Sequence, residues 1–79
     1  MKAKIRITLK KGVLDPQGKA IEGALGSLGF TGVENVRQGK YIELEMTETD
    51  AEKARSQIRS MCEKLLANTI IENYDIELA

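Results

Sequence analysis

Residues 3–10 alternate strictly between apolar and polar side chains, and this pattern constrains the fold more than any other feature of the sequence. Successive side chains of a strand point to opposite faces, so the alternation predicts a strand with one buried face and one solvated face. The apolar residues are Ala3, Ile5, Ile7 and Leu9. The polar residues are Lys4, Arg6, Thr8 and Lys10.

A helix is predicted after this strand, beyond a loop that covers residues 12–18. The pair Asp15-Pro16 favours a helix start, because Asp accepts hydrogen bonds from free amides at the N-cap and Pro at the first helical position lacks the surplus N–H. Gly29 supplies a left-handed stop. Apolar residues recur between these limits at the spacing of one buried stripe, and they are Ala20, Ile21, Ala24, Leu25 and Leu28.

The rest of the chain is predicted to form a β region, a second helix and a last strand. The β region covers residues 33–46, and Gln38-Gly39 within it makes either a tight hairpin or a bulge. Residues 49–52 (TDAE) are typical of a capping box that opens the second helix, which ends near Ala67-Asn68. The buried stripe of this helix is predicted to be Ala54, Ile58, Met61, Cys62 and Leu65. The last strand covers residues 70–78, with Ile76 and Leu78 inward.

The order β-α-β(β)-α-β predicts a ferredoxin-like α+β sandwich, an antiparallel sheet with two helices on one face. In that topology the first strand is central, between the third strand and the last. The 79 residues form a single domain, 1–79, since a second core would not fit. A core of this size rarely supplies more than about 3–5 kcal/mol, so we expect the chain to associate with copies of itself or with other chains.

Composition excludes several classes of function. The chain has no His and a single Cys, which removes His-based general bases, Ser-His and Cys-His nucleophile pairs, and nearly every zinc site. Cys62 lies on the apolar stripe of the second helix and is interpreted as a core residue. No apolar run approaches the ~20 residues of a membrane span, and the N-terminus does not resemble a signal peptide, so we expect a cytoplasmic protein with no membrane partner.

Charge is balanced overall but divided along the chain. Residues 1–40 hold eight Lys and Arg against three Asp and Glu, whereas residues 41–79 hold four against nine. We interpret this division as cross-strand pairing on the face of the sheet that no helix covers. The basic side chains expected there are Lys4, Arg6 and Lys10, among Glu43, Glu45, Asp75 and Glu77. Zero net charge and few aromatics argue against a nucleic-acid partner.

Two glycine patterns resemble ligand-binding motifs without meeting their requirements. Gly12 to Lys19 looks like a phosphate loop, but five residues separate its glycines instead of four, and Ala20 stands where Ser or Thr would bind magnesium. Gly23, Gly26 and Gly29 do not follow a strand as a dinucleotide fingerprint must. They are interpreted as close packing of the first helix against a neighbouring element, whether of this chain or of a partner subunit.

Three strings resemble the PurS subunit family of phosphoribosylformylglycinamidine (FGAM) synthase: GVLDPQGKA at residues 12–20, NVRQGKYIELE at 35–45 and MCEKLLAN at 61–68. The likeness covers almost the whole chain. It departs from the family pattern at Thr69, where Pro is usual, and at Asn73, where an acidic residue is usual. The Thr69 departure bears on the turn before the last strand.

The resemblance implies a part in the fourth step of purine synthesis, catalysed by a glutamine-dependent carbon–nitrogen ligase. In this family a glutaminase subunit releases ammonia and a synthetase subunit uses ATP and magnesium. The PurS-like chain is a dimer that bridges the two and binds no cofactor or metal itself. Ammonia is mostly protonated in neutral water and cannot attack in that form, so such a bridge would keep its passage out of solvent.

We therefore expect a non-catalytic assembly subunit that forms a dimer or a higher homo-oligomer. The residues expected to contact partner subunits, chosen for rigidity and exposure, are Leu14, Asp15, Pro16, Gln17, Gly18, Arg37, Gly39, Lys40 and Asn68. The alternative hypothesis is a dimeric regulatory module of ferredoxin-like type that senses a small molecule at its dimer interface.

Overall fold

The computed structural model describes residues 1–79 and has the predicted α+β class. Its elements are β1 (Lys2–Leu9), α1 (Pro16–Ser27), β2 (Gly39–Glu45), α2 (Ala51–Met61) and β3 (Glu72–Leu78), and a π-helical turn at Cys62–Leu66 continues α2. The sheet has the order β2-β1-β3 with both pairings antiparallel, which confirms that the first strand is central.

The core lies between the sheet and α2. Ala3, Ile5 and Ile7 of β1 are fully buried, as the alternation predicts, and they pack with Ile58 and Cys62. Cys62 is thus a core residue, as expected. Leu44, Ile76 and Leu78 flank this cluster and are partly buried. A six-residue core is small, which agrees with the expected need for association.

The opposite face of the sheet carries the predicted cross-strand pairs. The Arg6 guanidinium lies 3.0 Å from the Glu77 carboxylate and 3.9 Å from that of Asp75. Lys4 lies 4.0 Å from Glu77, and a further pair joins Lys2 to Glu43 at 3.5 Å. These side chains are about half exposed, so each pair contributes little to stability.

Two members of the predicted charged set do not take part in ion pairs. Lys10 lies beyond the end of β1, where its backbone N–H donates to the Ile71 carbonyl. Glu45 is opposite Lys2 in the strand register, but Lys2 pairs diagonally with Glu43. The ion pairs on this face of the sheet therefore join side chains of all three strands but do not include Lys10 or Glu45.

Helix α1 begins and ends as predicted but is not buried. Asp15 caps it, Pro16 is its first residue and Gly29 follows it at φ +94°. Helix α1 does not pack closely against the strands or against α2. The closely packed pairs of elements are β1 with β2, β1 with β3, α2 with β3, and α2 with the π-helical turn. The prediction that one stripe of α1 is buried is wrong for the isolated chain, since the Ile21 side chain is 40% exposed and the Leu28 side chain is 73% exposed.

The molecule is elongated for this reason. Its extents are 48 × 25 × 15 Å and its radius of gyration is 15.9 Å, against about 12 Å for a compact domain of this length. An added Cβ at Gly23 or Gly26 would meet nothing within 4 Å, so the close packing predicted for these glycines does not occur inside one chain. The apolar face of α1 is left without a partner in the isolated chain.

The π-helical turn corrects the predicted stripe of the second helix. Ala54, Ile58 and Cys62 are buried as expected, but Met61 is 36% and Leu65 82% exposed. The N–H of Ala67 donates to the carbonyl of Cys62, five residues back, so the turn is wider than an α-helical one. This rotates the chain, and Leu66 packs against the core in place of Leu65.

The strand boundaries differ from those predicted. Residues 33–38 form no strand, so Gln38-Gly39 is neither a hairpin nor a bulge, and β2 begins at Gly39. Strand β3 begins at Glu72 instead of residue 70, because the Asn68 carbonyl accepts the N–H groups of Ile71 and Glu72 in a turn. The capping box predicted at residues 49–52 is wrong, because the cap of α2 is Asp50, whose carboxylate accepts the N–H groups of Glu52 and Lys53. No helix is both long and apolar enough to cross a membrane.

Candidate functional site

The loop before α1 is held by the carboxylate of Asp15. One oxygen of this carboxylate accepts the Gly18 N–H at 2.8 Å, which caps the helix. The other accepts the Gln38 N–H at 2.7 Å and so joins the loop to the residue that precedes β2. The Asp15 side chain is buried, at 5% exposure. Its two hydrogen bonds fix residues 15–18 against residues 36–38, which explains the rigidity expected of this loop.

Gly18 lies at the contact between these two segments. It is the buried residue of α1, and a Cβ at this position would collide with the Val36 carbonyl oxygen and approach the Asp15 carboxylate to 3.0 Å. Gly39 is similarly enclosed, because a Cβ there would collide with the Ile7 carbonyl oxygen on the neighbouring strand. Both positions therefore require glycine for close backbone approach.

A second set of polar contacts joins the start of β2 to the start of β3. The Lys40 ammonium lies 3.5 Å from the Glu72 carboxylate and also donates to the Leu66 carbonyl at 3.4 Å. The other carboxylate oxygen of Glu72 accepts the Asn68 N–H at 2.7 Å. Since the Glu72 side chain is only 14% exposed, this pair is better shielded from solvent than those on the sheet face. Lys40 and Asn68, distant in sequence, thus meet through Glu72.

Five of the predicted contact residues line one open cavity of about 540 Å³ at the end of the sheet: Asp15, Pro16, Gln17, Gly39 and Lys40. Gln38 and Gln17 face each other across it, with Gln38 Nε2 donating to Gln17 Oε1 at 2.6 Å. The residues that line the cavity are Leu9, Asp15, Pro16, Gln17, Gln38, Gly39, Lys40 and Glu72. Asn68 does not line the cavity, but its N–H donates to Glu72, which does.

Leu14, Gly18 and Arg37 do not line this cavity. Leu14 is 71% exposed. Arg37 donates from Nη2 to the Lys10 carbonyl at 3.2 Å, and it lines a second cavity on the other side of Leu9. The sequence did not point to Leu9 or Glu72 as site residues. The pair Gln38-Gly39 indicates an interruption of the predicted β region and so draws attention to Gln38. No sequence feature near Glu72 predicts its contact with Lys40.

The groups of this site hold neighbouring segments of the chain in place, but they are poorly suited to acid–base or nucleophilic catalysis. Hydrogen bonds from the Gln38 and then the Gly18 backbone N–H hold the pKa of the Asp15 carboxyl below its ordinary value, so it is a weak base at neutral pH. Burial raises the pKa of the Cys62 thiol, which keeps it in the unreactive protonated form. No group of three Cys, Asp or Glu side chains forms a constellation that could hold a metal ion.

Replacement of Asp15 by Asn is expected to lower the Tm at pH 7 by about 4–8 °C, the effect of losing one buried hydrogen bond. An amide oxygen can still accept from Gly18, but the amide NH₂ would face the Gln38 N–H, donor against donor. Because the folded pKa of Asp15 is lowered, its contribution to stability is complete above the unfolded pKa of about 3.9 and is lost as pH falls through the folded value.

Thermal unfolding between pH 7 and pH 2 checks this prediction. The Tm of the Asp15→Asn variant should decline less on acidification than that of the natural chain. Glu34→Gln, a change at an exposed carboxylate, is the matched control and should leave both the Tm and its pH profile unchanged. An Asp15→Asn variant with the natural Tm at pH 7 would show that the carboxylate does not hold the two segments together.

The sequence and the fold of this chain both match proteins of a single family. The family model described as PurS, phosphoribosylformylglycinamidine (FGAM) synthase, matches residues 2–79. A Synechocystis protein named phosphoribosylformylglycinamidine synthase subunit PurS is 49% identical over 95% of this chain and 75% of its own length.

Solved structures agree with this grouping. The crystal structure of Methanocaldococcus jannaschii PurS superposes with a TM-score of 0.86 at 46% identity, covering 96% of this chain and 92% of that one. The structure of PurLQS from Thermotoga maritima contains a chain that superposes with a TM-score of 0.88 at 34% identity, covering 96% of this chain and 93% of that one. The M. jannaschii protein is described as one of the subunits of an amidotransferase of the purine biosynthetic pathway.

Proposed function

This chain belongs to the PurS family of FGAM synthase subunits, and from that premise we propose that it is the homodimeric assembly subunit that joins the glutaminase and the ATP-dependent synthetase. It is a subunit of FGAM synthase, a ligase complex of purine biosynthesis. The small-molecule-sensing alternative is not favoured, because the family match covers residues 2–79 and leaves no chain unassigned except Met1.

The observation that carries the proposal is the unpartnered apolar face of α1. Ile21, Leu28 and, just beyond the helix, Phe30 are 40%, 73% and 59% exposed, which is unusual for side chains of this size arranged along one helix. Full burial of an exposed side chain of this size contributes about 1.5–3 kcal/mol, and a partner that covers this face would gain the share that is still exposed here. An element that stands away from its own sheet and presents such a face is suited to packing against another chain.

We assign a second copy of this chain as the occupant of that face. Ile42 and Leu44 on β2, and Met46 just beyond it, are only partly buried, and they lie on the side of the sheet where α2 covers the core. In a two-fold arrangement each copy can place its α1 beside the partner's β2, which would bury both apolar sets at once. Gly23 and Gly26, open in the isolated chain, would then allow the backbones to approach closely.

The chemistry of the complex is assigned to the other subunits. The site residues of this chain hold one another, and the carboxylate that is most enclosed, Asp15, is committed to two backbone N–H groups. We propose that this chain binds neither ATP nor magnesium, which the synthetase subunit uses, and that it acts in the cytoplasm. Its part is to fix the relative position of two enzymes so that ammonia passes between them out of contact with solvent.

Co-elution of the three chains tests this proposal. The purified chain, mixed with the glutaminase and synthetase subunits in the presence of glutamine, ATP and magnesium, is expected to elute with both in one complex. Omission of this chain should leave the other two to elute separately. A glutaminase–synthetase complex of the same stability formed without this chain would overturn the assembly role.

A further inference from the structure

The second cavity of the molecule is basic and contains no carboxylate. Its volume is about 430 Å³ and it is lined by Leu9, Lys11, Gly12, Asn35 and Arg37. Neither Lys11 nor Arg37 takes part in any ion pair of this chain, whereas each of the cations in the strands is paired with a carboxylate. Residues 1–40 carry an excess of five positive charges, and Lys11 and Arg37 of this cavity are, with Lys10, the cations of that segment that form no ion pair.

Hydrogen bonds within the chain hold the cavity in shape. The Arg37 guanidinium donates to the Lys10 carbonyl, and that carbonyl also accepts the Val13 N–H at 3.0 Å, which closes the turn around Gly12. Across the cavity Asn35 adopts φ +58°, a conformation uncommon outside glycine. The next residue, Val36, donates its N–H to the Glu22 carboxylate at 3.2 Å. The two cationic side chains therefore project from anchored segments.

The remaining donors of the cavity suit a carboxylate. A guanidinium has five N–H donors, of which Arg37 uses one on Lys10, and the planar fork that is left matches the two oxygens of a carboxylate. Lys11 adds a second positive charge, and Leu9 supplies an apolar surface shared with the neighbouring cavity. Glu34 precedes Asn35 but does not line the cavity, and Asp15, whose carboxylate is attracted to Arg37, does not line it either, because its two oxygens accept the Gly18 and Gln38 N–H groups.

The exposure of the cavity favours a protein partner over a free small anion. Lys11 and Arg37 are both exposed, so salt and water would screen their attraction for an ion in solution. A partner chain that covers the cavity displaces that water and strengthens the same interaction. Leu14, 71% exposed in the same loop, offers an apolar contact beside the charged one.

We propose that this basic cavity receives an Asp or Glu side chain from an acidic segment of the glutaminase or synthetase subunit. The inference rests on the proposed function, since it assigns the surface through which the assembly subunit meets one of its enzymes. It also makes the association sensitive to ionic strength, because the contact joins opposite charges at a surface.

Binding measurements with the intact chain test the inference. The Kd for each partner subunit is measured by calorimetry at 50 and 300 mM salt, for the natural chain and for the double variant Lys11→Gln, Arg37→Gln. The matched control is Lys53→Gln, Lys64→Gln, which removes two exposed and unpaired lysines from α2 and the π-helical turn. For one of the two partners, we expect the cavity variant to raise the Kd at least tenfold at 50 mM salt and to flatten its salt dependence. The control should do neither.

The outcomes separate this inference from the proposed function. If the natural chain binds both enzymes and the cavity variant binds each with unchanged Kd and salt dependence, the acidic contact is wrong and the assembly role stands. If the natural chain binds neither enzyme, both fail. A titration with inorganic phosphate, followed by NMR at Lys11 and Arg37, tests whether the cavity is instead a site for a small free anion. Saturation below about 1 mM phosphate would overturn the proposal in favour of a small-anion site, and no saturation supports it.

Discussion

Replacement of Ile21 and Leu28 by Asp is expected to convert the proposed homodimer into a monomer that keeps its fold. The two side chains lie on the apolar face of α1, which packs against no other element of its own chain. Full burial of such a side chain contributes about 1.5–3 kcal/mol, and Ile21 and Leu28 are 40% and 73% exposed before association. Because a two-fold dimer buries each of them twice, their loss removes about 3–7 kcal/mol, which corresponds to at least a 10²-fold rise in the dimer Kd.

Light scattering on a sizing column measures this change directly. The natural chain should have a mass at least twice 8.7 kDa, and the double variant a mass near 8.7 kDa at the same concentration. Lys19→Asp, a change on the polar side of the same helix, is the matched control and should leave the dimer intact. Circular dichroism should show the same helix content for the dissociated variant, to within the low helix propensity of Asp. A natural chain with the mass of one copy would refute the assignment of α1.

Replacement of Gly18 by Ala should destabilise the chain, although Ala is ordinarily the better helix residue. The new Cβ would collide with the Val36 carbonyl oxygen and press on the Asp15 carboxylate, and the first of these is backbone that cannot rotate away. Forcing an extra carbon into such a contact costs about 1–3 kcal/mol or more, against a gain of about 1 kcal/mol in helix propensity. The net loss of up to about 2 kcal/mol lowers the Tm by up to about 16 °C.

Thermal unfolding of Gly18→Ala beside Lys19→Ala checks the prediction at adjacent positions. Lys19 is exposed, and its ion pair with Glu22 is a surface one, so its replacement should change the Tm by less than about 2 °C. Because the clash separates α1 from residues 36–38, the Gly18→Ala variant should also bind the partner enzymes more weakly. An equal or higher Tm for Gly18→Ala would show that the two segments are not in close contact.

Rules that act within a few residues predict most of the framework. The alternation of residues 3–10 gives β1 its buried face, and the opposite charges of Arg6 and Glu77 meet across the sheet as expected. Asp15 and Pro16 begin α1 where the capping rules place its start. These features depend on side-chain period and local hydrogen bonding, which a sequence displays directly.

The remaining features depend on contacts between distant residues or between chains. An apolar stripe predicts that α1 is buried but does not say whether its own sheet or another chain covers it. Residues 36–38 have strand-like sequence, yet the N–H groups of Val36 and Gln38 are taken by the carboxylates of Glu22 and Asp15 instead of by a strand. The meeting of Lys40 with Glu72 likewise exists only once β2 and β3 flank β1.

The rate of FGAM formation from glutamine, with and without this chain, tests the assembly role most directly. With glutaminase, synthetase, ATP and magnesium present, we expect the glutamine-dependent rate to fall at least 100-fold when this chain is omitted and to return when it is added. The rate with ammonium salt as nitrogen donor should stay the same, since the synthetase then needs no bridge. Full glutamine-dependent synthesis by the two enzymes alone would contradict the account.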